Sequence, residues 1–323
     1  MTQAGPSESV ARSLRVAAVQ LTSRLGRTDE NLAHATSLAE AAVAQGVDLI
    51  LLPELMPSGY AWDETAWSGA EPSEGRTARW LRAIAERLRV WVGTSFLEAS
   101  GDDFWNTFVL AAPDGTEAGR VRKEFPSMYE ARTFRGDPGP HVVETALGRV
   151  GVAICFDAHA AAVATKLAEA DVDLVLAPHC YCVPAHPSRG VSAADIERLV
   201  RNVAAIAPLY ARTLGVPAIV TNRVGAWDVP KGAGYVFAGQ ATIADSDGTV
   251  VAHLGAEEGV TVGEVHLDPA RKTHLAPRAY SRWIYPGPPG RELLRLIEWR
   301  EGRRYRGAVQ RRREAIQAAT TSG

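Results

Sequence analysis

An eight-residue phrase that recurs at long range constrains this 323-residue chain more than any other feature. "VDLILLPE" at Val47–Glu54 returns as "VDLVLAPH" at Val172–His179, each time after an Ala-rich stretch. A second pair keeps step: "VLAAPDGTEAG" at Val109–Gly119 rhymes with "TIADSDGTVVA" at Thr242–Ala252. The offsets are 125 residues for Asp48 and Asp173 and 133 for Gly115 and Gly248. Short apolar runs bounded by turn residues read as buried strands, and helical spacing between them as covering helices. Two such halves, each a sheet with helices outside, give a layered α/β sandwich in which the sheets face one another.

The remaining elements fit that plan. Leu14–Leu21 reads as a buried strand, Asn31–Gln45 as a helix stopped by Gly46, and Thr77–Arg89 as a second helix before the strand "VWVGTSFLEA". Lys123 closes a hairpin built around Pro-Asp-Gly; "GRVGVAICFDA" is a buried strand ending at Cys155, with an Ala-rich helix to Ala170 after it. A long helix is expected over Ala193–Leu214. Residues 1–13 are expected to be disordered, and the tail from Pro277 to be a Pro-Gly link, including "GPPG", then an Arg-rich helical face solvated beside Glu298, Glu301 and Glu314.

With 46% hydrophobic residues the chain can bury a large core. A net charge of −2 leaves no positive field for nucleic acid or an anionic membrane, and neither is expected as a partner. "VDLILLPELMP" is too short to cross a bilayer, and the start lacks a signal-peptide core, so a cytoplasmic location is expected. Three cysteines, Cys155, Cys180 and Cys182, make no disulfide framework, which fits a reducing compartment.

Glu54, Lys123 and Cys155 each stand where an apolar run ends, the place where open α/β sheets bind ligands. A carboxylate, an ammonium and a thiol are a base, an oxyanion partner and a nucleophile, enough to open a carbon–nitrogen bond. Singly, each has a plainer reading as a structural thiol or a solvated charge. Their surroundings narrow the choice: Pro53, Gly59-Tyr60, "CFD" at Cys155–Asp157, "LAPH" at Leu176–His179 and "TNRVG" at Thr221–Gly225. With Glu, Lys and Cys in this order, the chain resembles the carbon–nitrogen hydrolase (nitrilase) superfamily from about Leu14 to Asp268, in its amidase and carbamoylase-like branch.

That resemblance implies a four-layer α-β-β-α sandwich over residues 14–276 and a C-terminal arm, 277–323, at a subunit interface of a homodimer or larger homo-oligomer. It implies no cofactor and a small-molecule amide as substrate. Cys155 becomes the nucleophile; Glu54 takes the thiol proton, protonates the departing amine and activates water. Burial is expected to raise Glu54, and a helix N-terminus to lower the Cys155 thiol. Lys123, one of only four lysines, faces the oxyanion with the backbone N–H of Phe156. Glu130 orients Lys123 and the substrate nitrogen, while Glu124, adjacent to Lys123, points to the opposite face. Tyr60, Phe156, His179 and Tyr181 are the expected substrate contacts. The segment "HCYCVPAHP", with His179, Cys180, Cys182 and His186, lacks Cys-x2-Cys spacing, and no metal is expected.

Two segments depart from the family pattern. "AHAAAVA" at Ala158–Ala164 stands where relatives carry Arg or an aromatic and then Phe-Pro-Glu, and "KEFP" replaces the usual Lys-x-His-Leu. Without that charged anchor, carboxylate-bearing carbamoyl amino acids are disfavoured. An acidic lining from Glu130 and Asp157 would suit neutral or cationic amides. Phe156-Asp157 in place of Trp-Glu favours amides over nitriles. Nitrile hydrolysis by the same triad, acyl transfer to an amine and a catalytically silent binding or assembly module are the competing readings.

Overall fold

A computed structural model describes residues 11–227, 234–286 and 291–322. The first half holds β1 (Arg12–Gln20), α1 (Thr28–Val43), β2 (Leu49–Leu51), β3 (Glu71–Pro72), α2 (Arg76–Leu88), β4 (Trp91–Ser100), β5 (Asp103–Ala111) and β6 (Glu117–Arg122). The second holds β7 (Val142–Thr145), β8 (Gly148–Val152), α3 (Ala161–Glu169), β9 (Leu174–Pro178), β10 (Cys182–Pro184), α4 (Ala193–Leu214), β11 (Ala218–Thr221) and β12 (Val224–Ala226). It continues through β13 (Tyr235–Ala238), β14 (Thr242–Ala244), β15 (Val250–His253) and β16 (Gly259–Leu267) to the tail helices α5 (Arg291–Gly307) and α6 (Val309–Ser322).

One sheet runs β16-β1-β2-β4-β5-β6 with β3 beside β4; the other runs β7-β8-β9-β11-β14-β15. Read in these orders, the two share one sequence of strand senses: antiparallel, parallel, parallel, antiparallel, antiparallel. The sequence repeat is therefore a repeat of architecture, and its marker residues do equivalent work. Asp48 accepts the Arg15 N–H at 2.8 Å, and Asp173 accepts the Arg149 N–H at 2.7 Å. Asp114 and Asp247 each fold a hairpin turn by accepting the N–H two residues on, at 3.0 and 2.8 Å.

Side-chain alternation builds the layers. Leu49 and Leu51 face inward with Phe108, Leu110, Val150, Val152, Leu174 and Leu176, which closes the core between the sheets. Ile50, one residue out of step, packs beneath Ala35 and Ala39 of α1 and Leu81 of α2. Val175 does the same beneath Leu167 of α3 and Ile206 of α4. The result is the expected α-β-β-α sandwich. Alanines at the buried positions favour helix and let the helix lie close to the sheet.

Helix α4 matches its expected span. Ser192 and Asp195 form a reciprocal cap at its start, and Gly215 ends it with φ of 71°. A Cβ on Gly215 would stand 1.8 Å from the Arg271 carbonyl oxygen, so only glycine closes this helix.

The tail returns onto its own chain. The Tyr305 hydroxyl accepts the Phe104 N–H at 2.9 Å and donates to Asp103 Oδ1 at 3.1 Å, while Arg312 donates to the Tyr305 carbonyl at 2.8 Å. This corrects the solvated reading for two tail residues: Arg312 and Glu301 are buried, Glu301 beneath Arg300 and Arg304. Leu293, Leu296 and Trp299 on α5 stay more than half exposed, at 58, 56 and 57%. Residues 1–10 of the N-terminal segment and the "GPPG" link at 287–290 lie outside the described residues.

Candidate active site

The strand ends of the two sheets converge on one buried cluster. Glu54 lies three residues past β2, Lys123 directly past β6, Cys155 three residues past β8 and Glu130 in a short turn over Met128–Arg132. Lys123 Nζ donates to Glu54 Oε1 at 2.8 Å and to Glu130 Oε2 at 2.7 Å, and all three side chains are fully enclosed. Asn106 donates to Glu54 Oε1 at 2.7 Å. Glu130 is pinned further by the Ser127 N–H at 2.7 Å and the Tyr60 hydroxyl at 2.8 Å, and Tyr60 in turn accepts Trp62 Nε1–H at 2.9 Å.

Left-handed backbone places these groups. Cys155 has φ of 48°, Leu55 of 48° and Met128 of 49°. For a residue with a Cβ that conformation costs about 1–2 kcal/mol, and it concentrates at functional sites. At Glu54 the bend is secured by Leu55 N–H donating to Ser95 Oγ at 3.0 Å. At Cys155 it ends the strand earlier than expected: β8 stops at Val152, a 3-10 turn spans Cys155–His159, and α3 starts only at Ala161.

Two electrostatic expectations are corrected. Cys155 does not sit at an α-helix N-terminus, and burial together with the nearby Glu54 charge pushes its thiol pKa up. Burial alone would raise Glu54, but the Lys123 ammonium and the hydrogen bonds it accepts outweigh that and hold it below the ordinary 4.5. Glu130 is the raised carboxylate, through burial and the like charge of Glu54, against the pull of Lys123. Desolvation opposes the Lys123 charge, yet Glu130 and Glu54 together carry its pKa well above 10.5.

Neighbouring residues sort into support and wall. Glu124 points away, as expected, to His141 at 3.0 Å and Lys166 at 2.8 Å. Asp157 is not a lining residue: it is fully buried, accepts the Glu124 and Phe125 N–H groups at 3.0 and 2.9 Å, and burial lifts it to about 7. It ties the Cys155 turn to the segment after Lys123. His179 is likewise not on the rim. It is fully buried, its Nδ1–H donates to the Ala177 carbonyl at 2.8 Å, and its Nε2 accepts His159 Nε2–H at 3.2 Å. His159 Nδ1 accepts the Tyr285 hydroxyl at 2.5 Å. Burial holds His179 down at about 4 and His159 well below the ordinary 6.5.

Cys180 was missed as a partner of Glu54. Its N–H and its thiol both donate to Glu54 Oε2, at 2.9 and 2.7 Å. The repeat carried the signal: His179 occupies the position in the second half that Glu54 holds in the first, and Glu54 N–H donates to the His179 carbonyl at 3.3 Å. The residue after His179 therefore abuts the carboxylate.

A cavity of about 230 Å³ opens over Cys155, Cys180 and Glu130. Tyr60, Phe156 and Tyr181 are in its walls, with Trp62, Tyr235, Trp283 and Tyr285. Among the described residues Glu130 is the one carboxylate in its walls, already paired with Lys123, and no arginine or lysine is among them.

Residues 15–275 match the carbon–nitrogen hydrolase family. The chain is 28% identical over 249 residues to the chloroplastic omega-amidase of Arabidopsis thaliana, covering 73% of this chain and 63% of that longer protein. It is 29% identical to a nitrilase of Pyrococcus abyssi, covering 79% and 90%, and 30% identical to the N-carbamoylputrescine amidase of Solanum lycopersicum, covering 74% and 81%. The crystal structure of a carbon–nitrogen hydrolase from Helicobacter pylori G27 superposes with a TM-score of 0.68 at 22% identity, covering 80% of this chain and 90% of that one.

Proposed function

The chain belongs to the carbon–nitrogen hydrolase family, and from that premise we propose that it hydrolyses a small amide through a thioester on Cys155. One observation carries this reading: an enclosed ammonium, shared by two carboxylates at 2.8 and 2.7 Å, stands beside a thiol that opens into an apolar cavity. Lys123 anchors Glu54 through Oε1, which leaves the Oε2 edge toward the thiols. As Cys155 Sγ attacks the carbonyl carbon, Glu54 takes the thiol proton, and Lys123 with the Phe156 N–H stabilises the oxyanion. Glu54 returns that proton to the leaving nitrogen, ammonia departs, and Glu54 then draws a proton from the water that cleaves the thioester. Glu130 is a positioning residue for Lys123. With Glu54 held low and the thiol raised, the proton stays on sulfur until a carbonyl arrives to accept charge.

The cavity favours a neutral, apolar acyl group. An enclosed space of about 150 Å³ holds a benzene ring, so about 230 Å³ has room for an aryl or short aliphatic chain. With no cation among the described residues of its walls, an anionic substrate would lose its hydration there without a partner. A nitrile is the second reading, favoured by the Pyrococcus abyssi relative, since the same thiol attack yields a thioimidate. The exposed Leu293, Leu296 and Trp299 support a homo-oligomer assembled through α5. Among the described residues no helix is long and apolar enough to cross a membrane.

The test is ammonia release from a panel of neutral, cationic and anionic amides, carbamoyl amines and nitriles, with intact mass read in parallel and Cys155→Ala as control. Release that vanishes in the variant, with neutral amides fastest, supports the reading. Preference for anionic amides would sink the substrate class. Neither release nor adduct across the panel would favour a silent binding module, and product formed only with an added amine would favour acyl transfer.

A further inference from the structure

Cys180 has no step in the reaction above, yet it occupies the base. Its sulfur and N–H both donate to Glu54 Oε2, while Lys123 and Asn106 hold Oε1. A carboxylate oxygen of Glu54 and the sulfurs of Cys155 and Cys180 all lie within 4.8 Å of one another, and both cysteines line the cavity. A tetrahedral zinc bound by thiolates at about 2.3 Å and a carboxylate at about 2.0 Å needs its ligand atoms roughly 3.5–3.8 Å apart. From 2.7 Å, the Cys180 sulfur and Glu54 Oε2 have to part by only about 0.8 Å.

We propose that Glu54 Oε2, Cys155 Sγ and Cys180 Sγ form an inhibitory site for a soft divalent cation, zinc foremost, with the fourth position open to the cavity. Two thiols and one carboxylate are a zinc-type donor set, in contrast to the oxygen sets that hold magnesium or calcium. The nearby ammonium does not exclude it. Lys123 bonds to the opposite oxygen of Glu54 and is also neutralised by Glu130. The neighbouring Cys182 and His186 take no part, and His179 is committed to Ala177 and His159.

Binding is an exchange without electron transfer. Each thiol releases its proton to solvent, each sulfur donates a lone pair to the metal, and the Cys180-to-Glu54 hydrogen bond gives way to a metal–oxygen bond. The site itself stands on geometry. Its effect on turnover rests on the hydrolase reading, because the metal ties up the nucleophilic sulfur and the oxygen that receives its proton.

The experiment titrates cobalt(II) into the full chain under nitrogen, without substrate, following the thiolate-to-cobalt charge-transfer band and the visible bands of a tetrahedral ion. One equivalent is expected to produce both, and zinc to displace it. Cys180→Ser and Cys155→Ser are each expected to halve the charge-transfer band and weaken binding about tenfold or more, with Cys182→Ser unchanged. No band in the unaltered chain, or a band that survives Cys180→Ser at full intensity, overturns the proposal; the first arm needs no variant to fold. Ammonia release measured with zinc and again after chelation separates the two readings. A cobalt band without hydrolysis of any panel member leaves the site standing and the hydrolase reading fallen; hydrolysis without a band does the reverse.

Discussion

Replacing Lys123 by methionine keeps the length of the side chain and removes the charge on which the cluster turns. The ammonium is fully enclosed and donates to Glu54 at 2.8 Å and Glu130 at 2.7 Å, so its loss leaves two buried carboxylates with no cation between them. Breaking a buried pair in this way costs about 3–5 kcal/mol, unless a proton fills the gap. A proton is available at low pH, which gives the penalty a direction. In the unaltered protein Glu54 lies below its ordinary 4.5, so it contributes stability above that value and loses it as the pH falls through the lower, folded pKa. Glu130 stands above 4.5 even with Lys123 present, and in the variant both carboxyls lose the ammonium that pulls them down, so folding is penalised increasingly as the pH rises past that value and levels off above the new pKa values. The difference between the two proteins is therefore small near pH 4 and reaches its full size at neutral pH.

Urea unfolding followed by tryptophan fluorescence across this range measures it. Lys123→Met with Glu130→Gln leaves one carboxylate in place of two and is expected to recover part of the loss at neutral pH. A penalty independent of pH would reduce Lys123 to packing, and a double variant no more stable than the single one would refute repulsion between the glutamates.

The low Glu54 pKa places the acid limb of kcat/KM below pH 4.5 in short assays; a limb between pH 6 and 7 would mean a raised base. Glu130→Gln is expected to lower kcat about a hundredfold with far less effect on KM, and to move the alkaline limb to lower pH because Glu130 heads the charges that hold Lys123 up. His179, held at about 4 against 6.5 when unfolded, contributes about 3 kcal/mol above pH 6.5 that is lost as the pH falls toward 4; unfolding of His179→Gln is expected to depend less on pH over that window. Leu296→Glu with Trp299→Glu is expected to shift the sedimentation coefficient to that of a smaller species if α5 joins subunits.

The sequence carried the architecture because the repeat is physical. Asp48 and Asp173 pin equivalent strands, and apolar alternation assigns Leu49 and Leu51 to one face and Ile50 to the other. It also marked Glu54, Lys123 and Cys155, since each stands where an apolar run ends, whereas Glu130 followed only from the family resemblance. What it did not carry was the balance of opposing effects. Burial raises Glu54 and Lys123 lowers it, and only distances decide between them. Nor could spacing show that His179 turns away to His159, a contact across 20 residues, or that Asp157 spends its oxygens on the backbone after Lys123. Cys180 escaped because a cysteine beside another cysteine in "HCYC" invites a local reading, whereas its partner lies 126 residues away.

The broken symmetry between the halves explains how the site holds its proton at rest. Equivalent strand ends deliver Glu54 from one half and His179 from the other, and they meet at a hydrogen bond of 3.3 Å. Had both been acidic, their repulsion would have raised both carboxyls; a histidine kept neutral by burial adds no charge and leaves the Lys123 ammonium to set Glu54. Glu54 then stays an ionised acceptor while the Cys155 thiol, raised by the same burial, keeps its hydrogen. A resting thiolate beside two carboxylates would cost more than either charge alone, so activation has to come from the substrate. As a carbonyl oxygen takes up charge beside Lys123, the ammonium's attraction for Glu54 is shared, the carboxylate becomes more basic, and the thiol proton can move in the same step that forms the carbon–sulfur bond.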